Sequence, residues 1–218
     1  MQSWAFVSDF DGTITDDDFF VYTSNEFFDE AALAPWRDYL AGKITHFKAL
    51  KSMYGSIRAS HDEFHALINK MRVDNEAKET FKICQDRDIP IYIVSAGCDY
   101  YINYLIGDLI AEYYIRLLTN RSRYYEDQGL VMFEPDKTDE FYDEKTGVSK
   151  VKLIEKLKKE GYKVIFAGDG PPDVEAAKLA DVVFARKILK DECEKQKIAY
   201  RELPDFSAIK DYILAQGR

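Results

Sequence analysis

The sequence predicts an α/β fold: a three-layer, Rossmann-like parallel sheet core with a small helical cap inserted after the first strand. Three short apolar runs carry that expectation: Trp4-Ala5-Phe6-Val7, Ile89-Pro90-Ile91-Tyr92-Ile93-Val94 and Val164-Ile165-Phe166-Ala167. Near-continuous apolar runs of this length suit strands buried on both faces. Each run stops at residues that turn the chain or carry chemistry. The first leads into Asp9-Phe10-Asp11-Gly12-Thr13, the second into Ser95-Ala96-Gly97, and the third into Gly168-Asp169-Gly170-Pro171-Pro172-Asp173. Open parallel sheets gather ligands at the carboxyl ends of their strands, so endings in Asp, Ser and Asp describe one crevice.

Taken in order, core strands are expected at 4–9, 89–95, 163–168 and 181–185, short, β-branched or aromatic, and followed by turn or acidic residues. Between the first two, apolar residues recur at helical spacing from Thr15 to about Leu33, then over Trp36–Leu40, Thr45–Tyr54 and His61–Met71, punctuated by Pro35, Gly42 and Gly55. Ser60 with Glu63 three residues on reads as a capping box. A helix over Asn75–Arg87 returns to the core. The expected division is therefore a core of 1–14 and 76–218 and a cap of 15–75. After Ser95, a helix over Tyr100–Ala111 and strands at Tyr114–Thr119 and Leu130–Phe133 follow, the last after the turn Glu126-Asp127-Gln128-Gly129. Asp136–Asp143 reads as an exposed acidic segment. Lys150 heads the pattern Val151, Leu153, Ile154, Leu157, whose lysines mark a solvated face. The remainder reads as helices at Glu175–Ala180, Ala185–Lys197 and Ala208–Leu214, with a short strand near Tyr200–Leu203.

A length of 218 residues allows one good core and a small accessory domain, and 46% hydrophobic with 32% charged residues is ordinary for a globular chain. The formal charge of −9 argues against a nucleic-acid or anionic-membrane partner, both of which need a basic footprint. A small anionic substrate is still allowed, because a local cation and one lysine can dominate a cleft. No apolar stretch reaches the ~20 residues of a membrane span, and Met1-Gln2-Ser3-Trp4 entering a strand at once leaves no room for a leader. Cys84, Cys98 and Cys193 are widely spaced and form no CxxC, as expected of reduced thiols in a cytoplasmic protein; a monomer or homodimer is the separate expectation for its assembly.

Asp9 and Asp11 stand one residue apart, and two such carboxylates repel and resist desolvation unless a cation sits between them. Gly12 lets the chain turn and Thr13 supplies a hydroxyl. The ordered set of Asp9-Phe10-Asp11-Gly12-Thr13, Ser95, Lys150 and Gly168-Asp169 with Asp173 resembles the four motifs of the haloacid dehalogenase superfamily of aspartate-nucleophile phosphohydrolases. The resemblance runs over nearly the whole chain and is nearest the branch that includes phosphoserine phosphatases. Within it, Asp173–Asp181 and Phe184-Ala185-Arg186 resemble the methionine-salvage phosphatases, which act on 2-hydroxy-3-keto-5-methylthiopentenyl-1-phosphate.

The resemblance implies a magnesium-dependent phosphomonoesterase acting on a small phosphorylated metabolite. Asp9 is then the nucleophile that forms an aspartyl-phosphate, and Asp11 the general acid and base. Asp169, Asp9 and the backbone carbonyl of Asp11 would hold Mg2+, whose preference is for oxygen ligands and retained water. Asp173 either joins that set or anchors metal waters or Lys150. Thr13, Ser95, Ala96, Gly97 and Lys150 would surround the phosphate. Asp18 corresponds to the acid with which phosphoserine phosphatases read the substrate amine, and it also suits a helix start. Pro172 departs from the Asn those enzymes carry, and about Thr119 to Lys150 shares little with the methionine-salvage enzymes. A thiamin monophosphate phosphatase, a phosphotransferase of the same superfamily and a non-catalytic binding module are the alternatives. His61 and His65 share a helix face, but Asp62 and the lack of a third ligand make a zinc site a poor reading.

Overall fold

A computed structural model describes residues 3–216. Met1 and Gln2, on which the expectation of no leader partly rests, lie outside the described residues. The core is a six-stranded sheet of β1 (Trp4–Ser8), β2 (Ile91–Cys98), β3 (Arg116–Asn120), β8 (Lys163–Gly168), β9 (Val182–Ala185) and β10 (Arg201–Glu202). Its spatial order is β10-β9-β8-β1-β2-β3, and every pairing is parallel.

The side-chain alternation of β1 builds the layers. Phe6 faces a cluster that includes helices α5 (Ala77–Asp86) and α10 (Ser207–Ala215), through Phe81, Cys84, Phe206 and Ile213. Ala5 and Val7 face the opposite cluster with α7 (Lys150–Lys159), α8 (Val174–Leu179) and α9 (Lys187–Gln196), through Leu153, Ile154, Ala177 and Leu189. The three cysteines are buried and unpaired. Successive strands run outward from β1 in both directions, so the chain reverses its winding beside β1 and opens a crevice at that strand's carboxyl end.

Helices α1 (Phe19–Phe27), α2 (Ala34–Leu40), α3 (His46–Tyr54) and α4 (His61–Ile68) follow β1 and pack around Phe19, Phe47, Leu50, Tyr54 and Phe64. Ser60 and Glu63 form the expected capping box of α4. The first helix is shorter than its apolar spacing suggested. Thr15 is taken into a bridge with Val73, and its hydroxyl donates to Asp17 O (2.8 Å), so helical turns begin only after the cap residue Asp18. Beyond α6 (Asp99–Glu112) and β3 comes a hairpin of β4 (Ser122–Tyr125) and β5 (Gly129–Met132). The sequence reading found only its second strand. This hairpin joins the helical layer: Tyr124 stacks on Phe64 with ring centroids 3.9 Å apart and donates to Ala59 O at 2.6 Å. A two-residue ladder of β6 (Tyr142–Asp143) and β7 (Gly147–Val148) interrupts the segment expected to be merely acidic and exposed.

Candidate active site

The chain leaves β1 at Ser8 and turns through Asp9–Ile14, with Thr13 N and Ile14 N both returning to Phe10 O. Gly12 has φ +69, and a Cβ there would lie 2.2 Å from Asp169 Oδ2, so the turn and the approach of the two loops both require glycine. Asp9 Oδ1 accepts from Phe10 N (2.8 Å) and pairs with Lys150 Nζ at 2.9 Å. No protein donor reaches Oδ2 among the described residues. Ser149 caps α7 by accepting from Lys152 N, which makes Lys150 the first helical residue and directs its side chain inward. Lys150 also donates to Asp173 Oδ1, while Asp173 Oδ2 takes the Asp169 and Gly170 N–H groups, each at 3.0 Å. Lys152, two residues on, instead donates to Tyr142 O at the surface.

Electrostatics follow from this crowding. Burial, opposed by Lys150 and reinforced by Asp173, Asp169 and Asp11, holds the Asp9 carboxyl well above the usual aspartate range. Burial and the Asp173 charge push Asp169 up to about 6. Burial works against the Lys150 charge, but Asp173 and Asp9 more than offset it and raise its pKa. Asp9, Asp169 and Asp173 place carboxylate oxygens within 4.8 Å of one another, a hard-oxygen set whose unneutralised charge suits a divalent cation. Both Asp173 oxygens are already engaged, so its observed work is to fix Lys150 and the Asp169 loop. The Thr13 hydroxyl lies 3.4 Å from Asp169 Oδ1.

Asp11 turns away from this cluster. Its Oδ1 accepts from Phe19 N (3.2 Å), and its Oδ2 accepts from Ser95 Oγ (3.0 Å) and Tyr101 Oη (2.6 Å). Burial and the Asp18 charge raise it to about 7, against those three hydrogen bonds. Ser95 Oγ also accepts from Gly97 N at 2.9 Å, beside a register shift in β2. A Cβ on Gly97 would sit 1.8 Å from Tyr101 Oη and 2.9 Å from Asp11 Oδ2, so only glycine leaves room for that contact. Ala96, Ser95 and Gly97 line one cleft of about 420 Å3 with Asp9, Asp11, Asp18, Lys150 and Asp169. A larger groove of about 920 Å3 lies along edge strand β3, but its acids are scattered and form no such cluster.

A family model described as haloacid dehalogenase-like hydrolase matches residues 6–178, which spans every one of these groups. The chain belongs to that family. It is 29% identical over 210 residues to a 2-hydroxy-3-keto-5-methylthiopentenyl-1-phosphate phosphatase of Bacillus pumilus, covering 93% of this chain and 87% of that one. Among solved structures, a phospho-aspartyl intermediate analogue of phosphoserine phosphatase superposes with a TM-score of 0.64 at 18% identity, over 97% of this chain and 99% of the other. A probable phosphoserine phosphatase from Vibrio cholerae gives 0.71 at 14% identity, over 98% and 64%. These structural likenesses establish the fold, a haloacid dehalogenase-like core.

Within this hydrolase, Asp18 is a helix cap as well as a cleft residue, accepting from Phe20 N at 2.7 Å. It is exposed at the cleft mouth, yet protein packed around its carboxylate, with the Asp169 charge, raises it to about 6. Three participants escaped the sequence reading. Tyr101 holds Asp11 and stacks on Phe19 with centroids 4.1 Å apart. Asn120 donates to the Ala96 and Gly97 carbonyls at 2.9 and 3.1 Å, pinning the Ser95 loop. Lys187, at φ 47, donates to Asp16 O (2.9 Å) and lies 3.6 Å from Asp169. Only Lys187 had a usable signal, a lysine two residues past a strand that ends beside the cleft. His61 and His65 bind Glu126 and Tyr100 and are not brought together with a third ligand among the described residues.

Proposed function

We propose that this chain is a magnesium-dependent phosphomonoesterase that cleaves a small phosphorylated metabolite through an aspartyl-phosphate on Asp9. The observation that carries the reading is the division of labour between two neighbouring carboxylates. Asp9 is fixed through Oδ1 by Lys150 and Phe10 N–H, which leaves Oδ2 with a lone pair to attack phosphorus. Asp11 is held apart by Tyr101, Ser95 and Phe19 with a pKa of about 7, suited to giving and taking protons near neutrality. As the Asp9 oxygen bonds to phosphorus, the ester P–O bond breaks and the leaving oxygen takes the Asp11 proton. Asp11 then accepts a proton from the water that cleaves the acyl phosphate, returning Asp9 as carboxylate with free phosphate.

Asp9, Asp169 and the Asp11 carbonyl would hold the ion, with Asp173 securing Lys150 and the Asp169 loop. Bound there, Mg2+ would neutralise charge on the phosphoryl oxygens. Lys150, Ser95, Thr13 and the Ala96-Gly97 backbone would position the phosphate, Ser95 by turning from Asp11. Residues 15–75 would form a cap over a core of 1–14 and 76–218, with the β4–β5 hairpin carried on the cap. The unpaired, buried thiols support a reducing, cytoplasmic setting. The printed activity of the Bacillus pumilus relative makes 2-hydroxy-3-keto-5-methylthiopentenyl-1-phosphate the first natural ester to assay.

Purified protein should release phosphate from p-nitrophenyl phosphate, lose that activity to a chelator and recover it with Mg2+ and poorly with Ca2+, whose looser shell misaligns in-line attack. Full activity after metal stripping would overturn the ion assignment. Transfer to an added alcohol in preference to water would favour the phosphotransferase alternative.

A further inference from the structure

The half of the cleft facing the expected leaving group is built by α1–α3 and differs from the phosphate half. Phe20 and Trp36 stack with centroids 4.3 Å apart, and Leu40 and Ile188 form an apolar rim that is 70% and 52% exposed. Helix α3 crosses this wall with His46, Leu50 and Tyr54 at successive i, i+4 positions, which places them on one face. His46 packs edgewise on Tyr39 and Trp36, with centroids 5.2 and 5.8 Å away, and makes no hydrogen bond. Its Nδ1 is sealed from solvent without a partner.

A buried polar atom with no partner in a substrate cleft calls for an explanation. A bare lone pair at the sealed Nδ1 costs less than an orphaned N–H, which places the ring proton on the unsealed Nε2. Burial, reinforced by the Lys150 charge, lowers the His46 pKa to about 4, so the ring is neutral at physiological pH. A neutral Nε2–H donates to an oxygen but offers no charge to a carboxylate.

The cations lining the cleft give a leaving group no help either. Lys150 is held by Asp9 and Asp173, and Lys187 by the Asp16 carbonyl between Asp17 (3.7 Å) and Asp169 (3.6 Å). Among the described residues no arginine lines the cleft. Resting on the phosphomonoesterase reading, we propose that His46 is a specificity-determining residue that donates to an oxygen of an uncharged leaving group. The substrate class is then the phosphate ester of a neutral, partly apolar alcohol that carries a carbonyl or hydroxyl group. A site built to hydrogen-bond such an oxygen discriminates against an analogue that lacks it.

The test compares kcat/KM for dihydroxyacetone phosphate, butyl phosphate, phosphoethanolamine and 3-phosphoglycerate, which present a neutral oxo, an apolar, a cationic and an anionic leaving group. The wild type should favour dihydroxyacetone phosphate over the other three. His46→Phe, which keeps an aromatic ring against Trp36 and Tyr39, should cut the preference over butyl phosphate by about tenfold, the scale of one lost hydrogen bond. His46→Gln should restore part of it. An unchanged ratio in His46→Phe, or equal losses on both esters, would make His46 a packing residue and overturn the proposal. So would a wild-type preference for 3-phosphoglycerate or phosphoethanolamine. Turnover of none of these esters, nor of p-nitrophenyl phosphate, would overturn the phosphomonoesterase reading and this inference with it.

Discussion

The floor and the roof of the same cleft are made on different principles. The floor, at the carboxyl ends of β1, β2 and β8, is a closed set of charges: Lys150 ties Asp9 to Asp173, and Asp173 ties Lys150 to the Asp169 loop. The roof, on α1–α3, is aromatic surface with an unpartnered histidine. On the proposed reading the floor binds the group common to every phosphate ester, and its fixed charges suit that task, because charge stabilisation in a water-poor site works only if the dipoles are already in place. The roof leaves its hydrogen-bonding capacity open, as a specificity surface must. On the proposed reading, function in this hydrolase divides by layer, with reaction type at the sheet and substrate choice on helices α1–α3.

The sharpest way to break that division is at the nucleophile. Asp9→Asn preserves shape and can still accept from Lys150, so the fold should persist while kcat falls by about a thousandfold or more on every ester, whatever its leaving group. Steady-state kinetics on two unlike esters check this. A loss confined to one of them would show that Asp9 reads substrate and does not attack it.

Lys150 tests whether the floor is a unit. Lys150→Ala leaves Asp9 and Asp173 as buried carboxylates without their shared cation, and removing one partner of a buried ion pair costs about 3–5 kcal/mol. Denaturant unfolding should show a loss of that order, together with loss of activity. A roof substitution such as Trp36→Ala should cost less, because Trp36 is only partly buried.

The same contrast governs what could be read from sequence. Asp9, Asp11 and Asp169 follow strands and Ser95 lies near the end of β2, where backbone direction fixes placement, so their convergence on one crevice could be read from position, whereas Lys150, at the head of α7, was singled out mainly by the family resemblance. Roof residues lie on amphipathic helices, where an aromatic facing the cleft has the same spacing as one facing the core. Tyr101 looked like any apolar position of α6, and His46 like a polar residue at a helix start. Strand β4 was missed because Ser122-Arg123-Tyr124-Tyr125 is short and opens on two polar residues. Its pairing with β5 and its packing on Phe64 are tertiary, and local propensity does not encode them. The overlong first cap helix failed for a related reason. Thr15 has helical company on its C-terminal side, but its hydroxyl and backbone are committed to the Asp9–Asp17 loop and to Val73.

Proton binding separates the halves again. Asp11 at about 7 and Asp169 at about 6 both titrate above an unfolded aspartate, which ionises near pH 4. Between about pH 4 and 7 the metal-free folded state therefore binds more protons than the unfolded chain, and stability falls as pH rises through that window. Surface acids with lowered values, such as Asp16 and Glu63, act in the opposite sense only at lower pH. In chelator, Tm should be a few degrees higher at pH 5.5 than at pH 8, and Mg2+ should narrow the gap at pH 8. A flat profile without metal would mean that the floor carboxylates are not crowded as described. His46, lowered to about 4 against about 6.5 for an unfolded histidine, works the other way: the unfolded ring takes up a proton between about pH 6.5 and 4 that the folded one refuses, so it offsets part of the gap without reversing it.

The smallest effect falls on Asp18, the residue at which floor and roof meet. It caps α1 through Phe20 N, and its carboxylate stands near Asp169 and Lys187 at the cleft mouth. Asp18→Ala removes the cap, and loss of an N-cap costs about 1 kcal/mol. Asp18→Asn keeps an oxygen that can cap and removes a charge already raised to about 6, so its stability should stay within a few tenths of a kcal/mol of the wild type. If Asp18 only sets the start of the roof, kcat/KM should fall further in the alanine variant than in the asparagine variant, because fraying of the first turn displaces Phe20 and the stacked Trp36. If the charge itself reads the leaving group, the two variants should lose equally on the preferred ester, and the loss should be largest for a cationic one. Thermal melts alongside kinetics on phosphoethanolamine and dihydroxyacetone phosphate separate these outcomes. The unequal loss is expected, because the Phe20 N–H already takes one Asp18 oxygen and the cleft holds an oxygen-reading donor elsewhere, in His46.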